Sequence, residues 1–155
     1  MTPGINQAKK AKITYTVHEY DHDSSCDSYG SEAAKKIGIP EERVFKTLVV
    51  QLAGKELIVA VVPVSSKLNM KLIAKALGAK KASMAYAPDV ERSTGYVLGG
   101  ISPLGQRKKL KTILDVSATQ YPTIYVSAGR RGLEIELNPQ DLKALINGEF
   151  TKICQ

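Results

Sequence analysis

Lys46 is the first residue whose type and position suggest chemistry, because it interrupts an otherwise apolar segment from Arg43 to Leu52. If this segment is a strand, its period of two places Lys46 on one face with three apolar residues, Val44, Leu48 and Val50. Burial of a lysine ammonium group costs free energy unless the group has a partner or a catalytic task. The alternative is a lysine at a sheet edge that extends its ammonium group to water, and the pattern leaves both open.

A pair of carboxylates, Glu134 and Glu136, alternates with apolar residues and so projects from one face of a predicted strand. Two carboxylates in different environments can divide the roles of acid and base between them. Two glutamates opposite an apolar stripe are also typical of a solvated strand face. The spacing alone does not decide between these interpretations.

The segment from Gly99 to Gly105, GGISPLG, predicts a loop because its glycine and proline content is unsuited to a helix or a central strand. Its backbone N–H groups are open to close approach by a carbonyl or phosphate oxygen. The segment matches neither the P-loop nor the dinucleotide-binding fingerprint. A tight turn without a ligand is the alternative.

His18, His22 and Cys26 recur at intervals of four residues, which is a spacing typical of metal ligands on a helix. His18 falls in a predicted strand and residues 27–30 break the helical pattern, so we expect neither a metal site nor a cofactor. The second cysteine, Cys154, lies near the opposite end of the chain. No pairing of a nucleophile with a base is visible in the sequence.

The composition of the 155 residues is that of an ordinary globular domain, with 43% hydrophobic and 24% charged residues. A net charge of +7 and a basic run at Arg107, Lys108, Lys109 and Lys111 favour a polyanionic partner such as nucleic acid, with solvated surface lysines as the alternative. The longest apolar stretch is too short to cross a bilayer. Because the cysteines form no disulfide framework and the N-terminus does not resemble a secretory signal, we expect a cytoplasmic protein.

Periodicity and turn residues predict one α+β domain over residues 1–155, built on a mixed sheet. A short connection at 53–55 that contains glycine predicts an antiparallel hairpin. Ser65 and Ser66 are the predicted cap of one helix, and Asn138 followed by Pro139 marks the start of the last helix. The predicted strands are 12–20, 43–52, 56–64, 81–86, 111–115, 123–127 and 133–137, and the predicted helices are 31–38, 68–77, 88–94 and 138–146.

Six segments along the chain form a recognisable series: YDHD at 20–23, FKTL at 45–48, LGAKK at 77–81, RSTGY at 92–96, GGISPLG at 99–105 and IYVS at 124–127. In this order they resemble the YbaK family of Cys-tRNA(Pro) deacylases, and the resemblance covers essentially the whole chain. It implies a mixed, barrel-like β-sheet flanked by helices. That fold is related to the editing domain inserted in bacterial prolyl-tRNA synthetases.

The resemblance implies removal of cysteine from Cys-tRNA(Pro) and assigns roles to particular residues. Lys46 matches the essential lysine of the family, and Tyr20 is expected to line the same pocket. The pocket carboxylate matches Glu134, where some members carry aspartate, and Glu136 is the second choice. The implied substrate-binding positions are Thr47, Gly99, Gly100, Ile101, Ser102, Pro103 and Ser127.

The resemblance also implies cleavage without a protein nucleophile, because the thiol of the substrate's own cysteine attacks its ester carbonyl and releases a thiolactone. The amides of Gly100 and Ile101 would polarise that carbonyl, and Lys46 would position the substrate's ribose or backbone. Cys26 and Cys154 would take no part. The implied partners are prolyl-tRNA synthetase and the charged 3′ end of a tRNA, guided by the basic run.

Two other functions stay open on the sequence. One is a deacylase for another misacylated tRNA, such as Ala-tRNA(Pro), and pocket size would decide this. The other is a tRNA- or nucleotide-binding module without catalysis, which would need positive charge at its rim rather than a lysine on the apolar face of a strand.

Overall fold

The computed structural model describes residues 1–25 and 28–155. The described residues form five α-helices, eight β-strands and two short 3₁₀ helices, Glu41–Arg43 and Val116–Gln120. The α-helices are α1 (Pro3–Ala11), α2 (Tyr29–Ile37), α3 (Met70–Ala76), α4 (Ala87–Thr94) and α5 (Pro139–Ile146). The strands are β1 (Tyr15–Glu19), β2 (Phe45–Leu52), β3 (Leu57–Pro63), β4 (Ala82–Met84), β5 (Lys111–Asp115), β6 (Ile124–Arg130), β7 (Leu133–Leu137) and β8 (Glu149–Thr151).

The smaller of the two sheets has three antiparallel strands in the order β1-β7-β6. Its central strand, β7, is LEIEL, and the alternation sends the three apolar side chains to one face, where Leu133, Ile135 and Leu137 are buried. The two glutamates therefore lie on the opposite face.

The larger sheet is mixed and has the strand order β4-β2-β3-β5-β8. The hairpin of β2 and β3 is antiparallel, as predicted, whereas β5 pairs in parallel with β3 and β8 in parallel with β5. A parallel bridge between Val44 and Tyr125 joins the two sheets where β2 begins beside β6. The architecture is α+β with mixed strand pairing, as expected, but the described strands form two sheets rather than a closed barrel.

The main core lies between the two sheets, where Phe45 and Val49 of β2 pack with apolar residues of β3, β6 and β7. A second cluster lies on the other face of the larger sheet and includes Val50, Ile73 of α3 and Ile153. A third, beneath α2, contains Val44 and Tyr125. No helix among the described residues is long and apolar enough to cross a lipid bilayer.

The local signals explain both what sequence reasoning found and what it missed. The Asn138 side chain caps α5 by accepting the N–H of Gln140, as predicted. The predicted cap of α3 was wrong, because the N–H of Ser66 donates to the carbonyl of Pro63 in a turn and Asn69 caps the helix instead. One α-helix, α1, and one strand, β8, were not predicted, nor were the two 3₁₀ helices, although Thr2 and Pro3 form a standard start for α1.

Candidate functional site

Three predicted site residues, Lys46, Ser127 and Glu134, form a row of side chains across adjacent strands. Ser127 pairs directly with Glu134, and His18 pairs with Glu134 from the other side. Val44 bridges Tyr125 in parallel, so Lys46 and Ser127 each follow this bridge by two residues on neighbouring strands. Val44 and Tyr125 share one buried cluster, and residues two positions along each strand point to the same face. This arrangement defines the Lys46–Ser127–Glu134 row.

Lys46 is partly buried, on the face of β2 that carries Leu48 and Val50, as predicted. It pairs with Val62 of β3 on one side, whereas β4 pairs with β2 only at residues 50–52 and does not extend to Lys46. None of the ion pairs among the described residues includes Lys46. The positive charge of Lys46 acts to lower the pKa of the Cys154 thiol, so its ammonium group lies in the neighbourhood of that residue of the second cluster.

The carboxyl group of Glu134 is buried without compensation. Glu134 is only 7% exposed, and its Oε2 has no hydrogen-bond partner among the described residues. Burial disfavours the charged form and raises the pKa of this carboxyl to about 8. The structure therefore places an acceptor in the site with nothing from the described chain to satisfy it.

Glu136, the second choice for the pocket carboxylate, is engaged elsewhere. Its Oε1 lies 2.9 Å from Nε2 of His18, and its Oε2 accepts the hydroxyl of Thr123. Burial raises the pKa of Glu136, but the hydrogen bonds from Thr123 and His18 outweigh it and hold the pKa below the usual value. Arg43 donates to the carbonyl of Thr123 at 2.8 Å and completes this network. The geometry thus favours Glu134 over Glu136 as the residue that meets a substrate.

Tyr20 and the glycine-rich loop lie at the end of the smaller sheet beyond Ser127 and Glu134. The N–H of Tyr20 donates to the carbonyl of Gly132 at 3.0 Å, and its side chain packs against the cluster beneath α2. A Cβ added to Gly100 would lie 2.9 Å from the Cα of Arg130, so the loop contacts the turn that leads into β7. The fold therefore places this loop against Arg130, which lies shortly before Glu134 in the sequence.

Within the loop, the Gly100 N–H already donates to the carbonyl of Val97 at 3.0 Å, so it is not free to polarise a substrate carbonyl. The Ile101 N–H makes no hydrogen bond to the described residues and is the remaining one of the two predicted donors. Gly99 has a φ of +89°, and the space that its Cβ would fill contains the side chains of Tyr29 and Arg131. Glycine at this position is explained by packing, and a role in substrate binding stays a prediction.

Three other predicted substrate-binding residues lie away from the row. Thr47 is on the opposite face of β2, in the main core, where its Oγ1 has no hydrogen-bond partner among the described residues. Ser102 is fully buried, and its Oγ accepts the N–H of Leu104 at 3.1 Å. Pro103 is buried beside it. For these residues a role in holding the loop and the core is the direct reading of the geometry.

The two histidines bind different glutamates, His18 with Glu136 and His22 with Glu32, so they do not converge on a common ligand position. Cys26, the third residue of that spacing, is outside the described residues. Cys154 is buried, and burial with the nearby Asp115 raises the pKa of its thiol to about 12. A thiol in this state is a poor nucleophile near neutral pH, in line with the expectation that it takes no part.

Sequence reasoning missed a stack of side chains next to the loop. Nδ1 of His22 lies 2.7 Å from Glu32, the rings of His22 and Tyr29 are 5.5 Å apart, and the guanidinium carbon of Arg131 is 4.2 Å from the centre of the Tyr29 ring. The contact between Tyr29 and Arg131 joins segments about a hundred residues apart. No local pattern could have indicated it.

Comparison with known proteins identifies the class of protein to which this chain belongs. The aminoacyl-tRNA editing domain matches residues 23–145, and the chain belongs to that family. EbsC of Enterococcus faecalis, named as a candidate Cys-tRNA(Pro)/Cys-tRNA(Cys) deacylase, is 40% identical over 153 residues, which cover 98% of this chain and 92% of EbsC. The expected kinship and the expected class of enzyme, an aminoacyl-tRNA deacylase, are both confirmed.

Two solved structures share the fold of the whole chain. Hypothetical protein APE2540 superposes with a TM-score of 0.89 at 21% identity. The match covers 99% of this chain and 100% of APE2540. A protein described as a candidate trans-editing enzyme for prolyl-tRNA synthetase superposes with a TM-score of 0.86 at 19% identity, with 100% of this chain and 99% of that one covered. At these identities the likeness shows the fold.

Proposed function

We propose that this chain, acting as one domain over residues 1–155 in the cytoplasm, removes cysteine from mischarged Cys-tRNA(Pro). The main observation in support of the proposal is the Lys46–Ser127–Glu134 row. Among the described residues, Lys46 belongs to no ion pair and Oε2 of the buried Glu134 has no hydrogen-bond partner, and the two lie on the strands that flank β6 and its Ser127, in a member of an aminoacyl-tRNA editing family. Such a pair suits the charged 3′ end of a tRNA, which brings both a phosphate backbone and an aminoacyl ester.

In the proposed reaction the substrate supplies its own nucleophile. The cysteine sulfur forms a bond to the ester carbonyl carbon, and the bond from that carbon to the ribose oxygen breaks. The thiol proton ends on the released ribose hydroxyl, so the products are a thiolactone and an uncharged tRNA. The chain has only to hold the thiol near the carbonyl and to favour the developing oxyanion, for which the Ile101 N–H is a donor.

Lys46 and Glu134 divide the binding of the substrate between them in this proposal. The ammonium group of Lys46 attracts the negatively charged backbone near the terminal ribose and fixes the ester in place. The unpaired oxygen of Glu134 accepts from the α-ammonium group of the aminoacyl ester. The positive charge of the α-ammonium group favours the carboxylate form, so Glu134 ionises when the substrate binds.

The basic run is proposed to contact the acceptor stem. Arg107, Lys108, Lys109 and Lys111 are exposed, and the N–H groups of Arg107 and Lys108 are fixed by the carbonyls of Thr94 and Ser93. Phosphate contacts carry little sequence information, so we assign the choice of tRNA(Pro) to association with prolyl-tRNA synthetase. Affinity for tRNA should fall as salt rises, and an affinity independent of salt would remove the basic run from this account.

The proposal is tested by release of the amino acid from Cys-tRNA(Pro), Ser-tRNA(Pro) and Ala-tRNA(Pro). The wild-type chain is compared with Lys46→Ala and with Lys35→Ala, which removes an exposed lysine from α2. We expect rapid release of cysteine alone, a loss of at least ~100-fold in Lys46→Ala through misplacement of the ester, and no loss in Lys35→Ala. Circular dichroism establishes that both variants are folded.

Each other outcome would identify a different function. Release of serine as fast as cysteine would contradict attack by the substrate thiol, because a hydroxyl is the weaker nucleophile. Release of alanine would keep the editing class and change the substrate. No release of any amino acid, with tRNA still bound, would favour a binding module without catalysis.

A further inference from the structure

Arg131, in the turn between β6 and β7, presents a fixed and exposed guanidinium group. Its guanidinium carbon lies 4.2 Å from the centre of the Tyr29 ring, and its Nη2 donates to the carbonyl of Leu98 at 3.0 Å. The Tyr29 ring is supported in turn by His22, which Glu32 holds at 2.7 Å. The guanidinium group therefore lies over the Tyr29 ring, while Arg131 as a whole stays exposed to solvent.

The glycine-rich loop leaves space at Gly99 for the contact between Arg131 and Tyr29. A Cβ at Gly99 would lie 2.5 Å from the Tyr29 ring and 2.7 Å from Nε of Arg131, so any other residue would displace the two side chains. The two residues that precede Gly99 are also unusual, because Val97 and Leu98 are apolar and yet 62% and 44% exposed. The exposed guanidinium group of Arg131 and the exposed side chains of Val97 and Leu98 thus belong to one surface region.

This surface lies at the rim of the candidate site. Arg131 is three residues before Glu134, and Arg130 beside it contacts Gly100 and pairs with Leu133. A ligand that extends out of the row past the glycine-rich loop passes the Arg131–Tyr29 stack. An isolated ion pair or a solvated arginine would need neither the gap at Gly99 nor the anchor on Leu98.

We propose that the exposed face of Arg131, stacked on Tyr29, binds the unpaired nucleobase that precedes the aminoacylated adenosine. This inference rests on the proposed function, since it takes the adenosine ester to lie in the Lys46–Ser127–Glu134 row. Unpaired bases stack on aromatic rings and on guanidinium planes, and the exposed apolar residues beside Arg131 suit the edge of such a base. A fixed platform loses little freedom when a base is added.

The test compares Arg131→Lys, which keeps the charge and removes the plane, with Arg130→Lys, the same change at the neighbouring exposed arginine. Each is assayed for kcat/KM on Cys-tRNA(Pro), on the same tRNA with an abasic nucleotide before the terminal adenosine, and on the cysteinyl ester of adenosine alone. In the wild type, we expect removal of the base to lower kcat/KM by about 5- to 100-fold, the range that base stacking provides. Arg131→Lys should lose a similar factor on intact tRNA and nothing further on the abasic tRNA.

The small ester separates a nucleotide site from mere support of the loop. Arg131→Lys should cleave cysteinyl adenosine as fast as the wild type, and Arg130→Lys should match the wild type on every substrate. An equal loss on the small ester and the intact tRNA would overturn the proposal, because it would mean that Arg131 only holds the loop.

A binding measurement keeps the inference distinct from the proposed reaction. The wild type should bind an uncharged oligonucleotide with the sequence of the tRNA 3′ end more tightly than its abasic counterpart, and Arg131→Lys should not distinguish them. If this difference appears without any deacylation, the proposed function fails and the platform stands. If the wild type binds both oligonucleotides equally, the platform is disproved whatever the activity.

Discussion

Glu32 on α2 and Glu134 on β7 are almost equally inaccessible, at 6% and 7% exposure, yet their carboxyl groups have opposite surroundings. Glu32 accepts the N–H of Asp23 at 2.7 Å and lies 2.7 Å from His22 and 3.2 Å from Lys36. Oε2 of Glu134 has no partner among the described residues. Burial raises the pKa of both carboxyls, but in Glu32 the hydrogen bonds outweigh it and hold the pKa below the usual value.

The surroundings of the two glutamates distinguish a structural carboxylate from a functional one. Glu32 is satisfied within the chain and ties the β1–α2 connection to α2, so its charge contributes to stability. Glu134 gains nothing from the described chain and costs stability, which is typical of a group kept for a ligand. Exposure alone could not separate the two residues, and their hydrogen-bond partners do.

The largest expected effect is on catalysis. Glu134→Gln keeps the shape of the side chain but cannot ionise, so we expect the rate of cysteine release to fall by at least ~100-fold, as for loss of a charged hydrogen-bonding partner in an active site. The measurement is single-turnover deacylation of Cys-tRNA(Pro). Glu32→Gln, assayed below its melting temperature on cysteinyl adenosine, which lacks the base that the Arg131 platform is proposed to bind, should stay close to the wild-type rate. A loss on this ester comparable to that of Glu134→Gln would contradict the distinction between the two glutamates.

The next effect is on the pH dependence of stability, for which the two glutamates should show opposite signs. The folded state keeps Glu134 protonated up to about pH 8, whereas the unfolded chain releases that proton near 4.5, so the free energy of unfolding falls as pH rises between these values. We expect the free energy of unfolding of Glu134→Gln, relative to that of the wild type, to rise by on the order of 3 kcal/mol from pH 5 to pH 8. Urea unfolding at several pH values measures this difference.

Glu32 provides the contrast in that experiment. Its pKa is lowered in the folded state, so its contribution is present above its unfolded pKa and is lost as pH falls through the folded value. The free energy of unfolding of Glu32→Gln should therefore approach that of the wild type only at acidic pH. Parallel curves for the two variants would contradict the assigned surroundings.

The smallest effect is on stability at neutral pH. Glu32→Gln leaves the N–H of Asp23, the ring of His22 and the ammonium group of Lys36 without a carboxylate, and we expect a loss of about 1–3 kcal/mol in the free energy of unfolding. Lys36→Ala is the matched control, since its side chain is 35% exposed and the solvent-screened pair should contribute less than about 1 kcal/mol. Thermal or urea unfolding measures both, and equal losses would show that the charge pair, not burial, dominates.

Much of the fold could be predicted from local patterns. The alternation in β7 assigned its two faces, the connection at 53–55 gave the β2–β3 hairpin, and Asn138 with Pro139 gave the start of α5. Each of these depends on residues adjacent in sequence. The strand β8 could not be found this way, because three residues have too little pattern of their own and pair only with the distant β5.

The candidate site was predictable in its residues and not in its arrangement. The apolar setting of Lys46 and its likeness to the family's essential lysine selected it, and the same likeness selected Glu134. The likeness ranked Glu134 before Glu136, but the alternation could not decide between them, since both occupy the same face of one strand. The partners that separate them, His18 and Thr123, lie on two other strands.

By itself, then, the sequence determined the kinship of the chain, the α+β class, the alternation of its strands and the lysine and carboxylates that suit its chemistry. Only the tertiary structure shows that β2 begins beside β6, that Oε2 of Glu134 has no hydrogen-bond partner among the described residues and that Arg131 lies over the Tyr29 ring beside Gly99. The physical reason is the range of the interactions. Periodicity and capping act over a few residues, whereas burial, ionisation and stacking depend on neighbours that only the folded chain brings together.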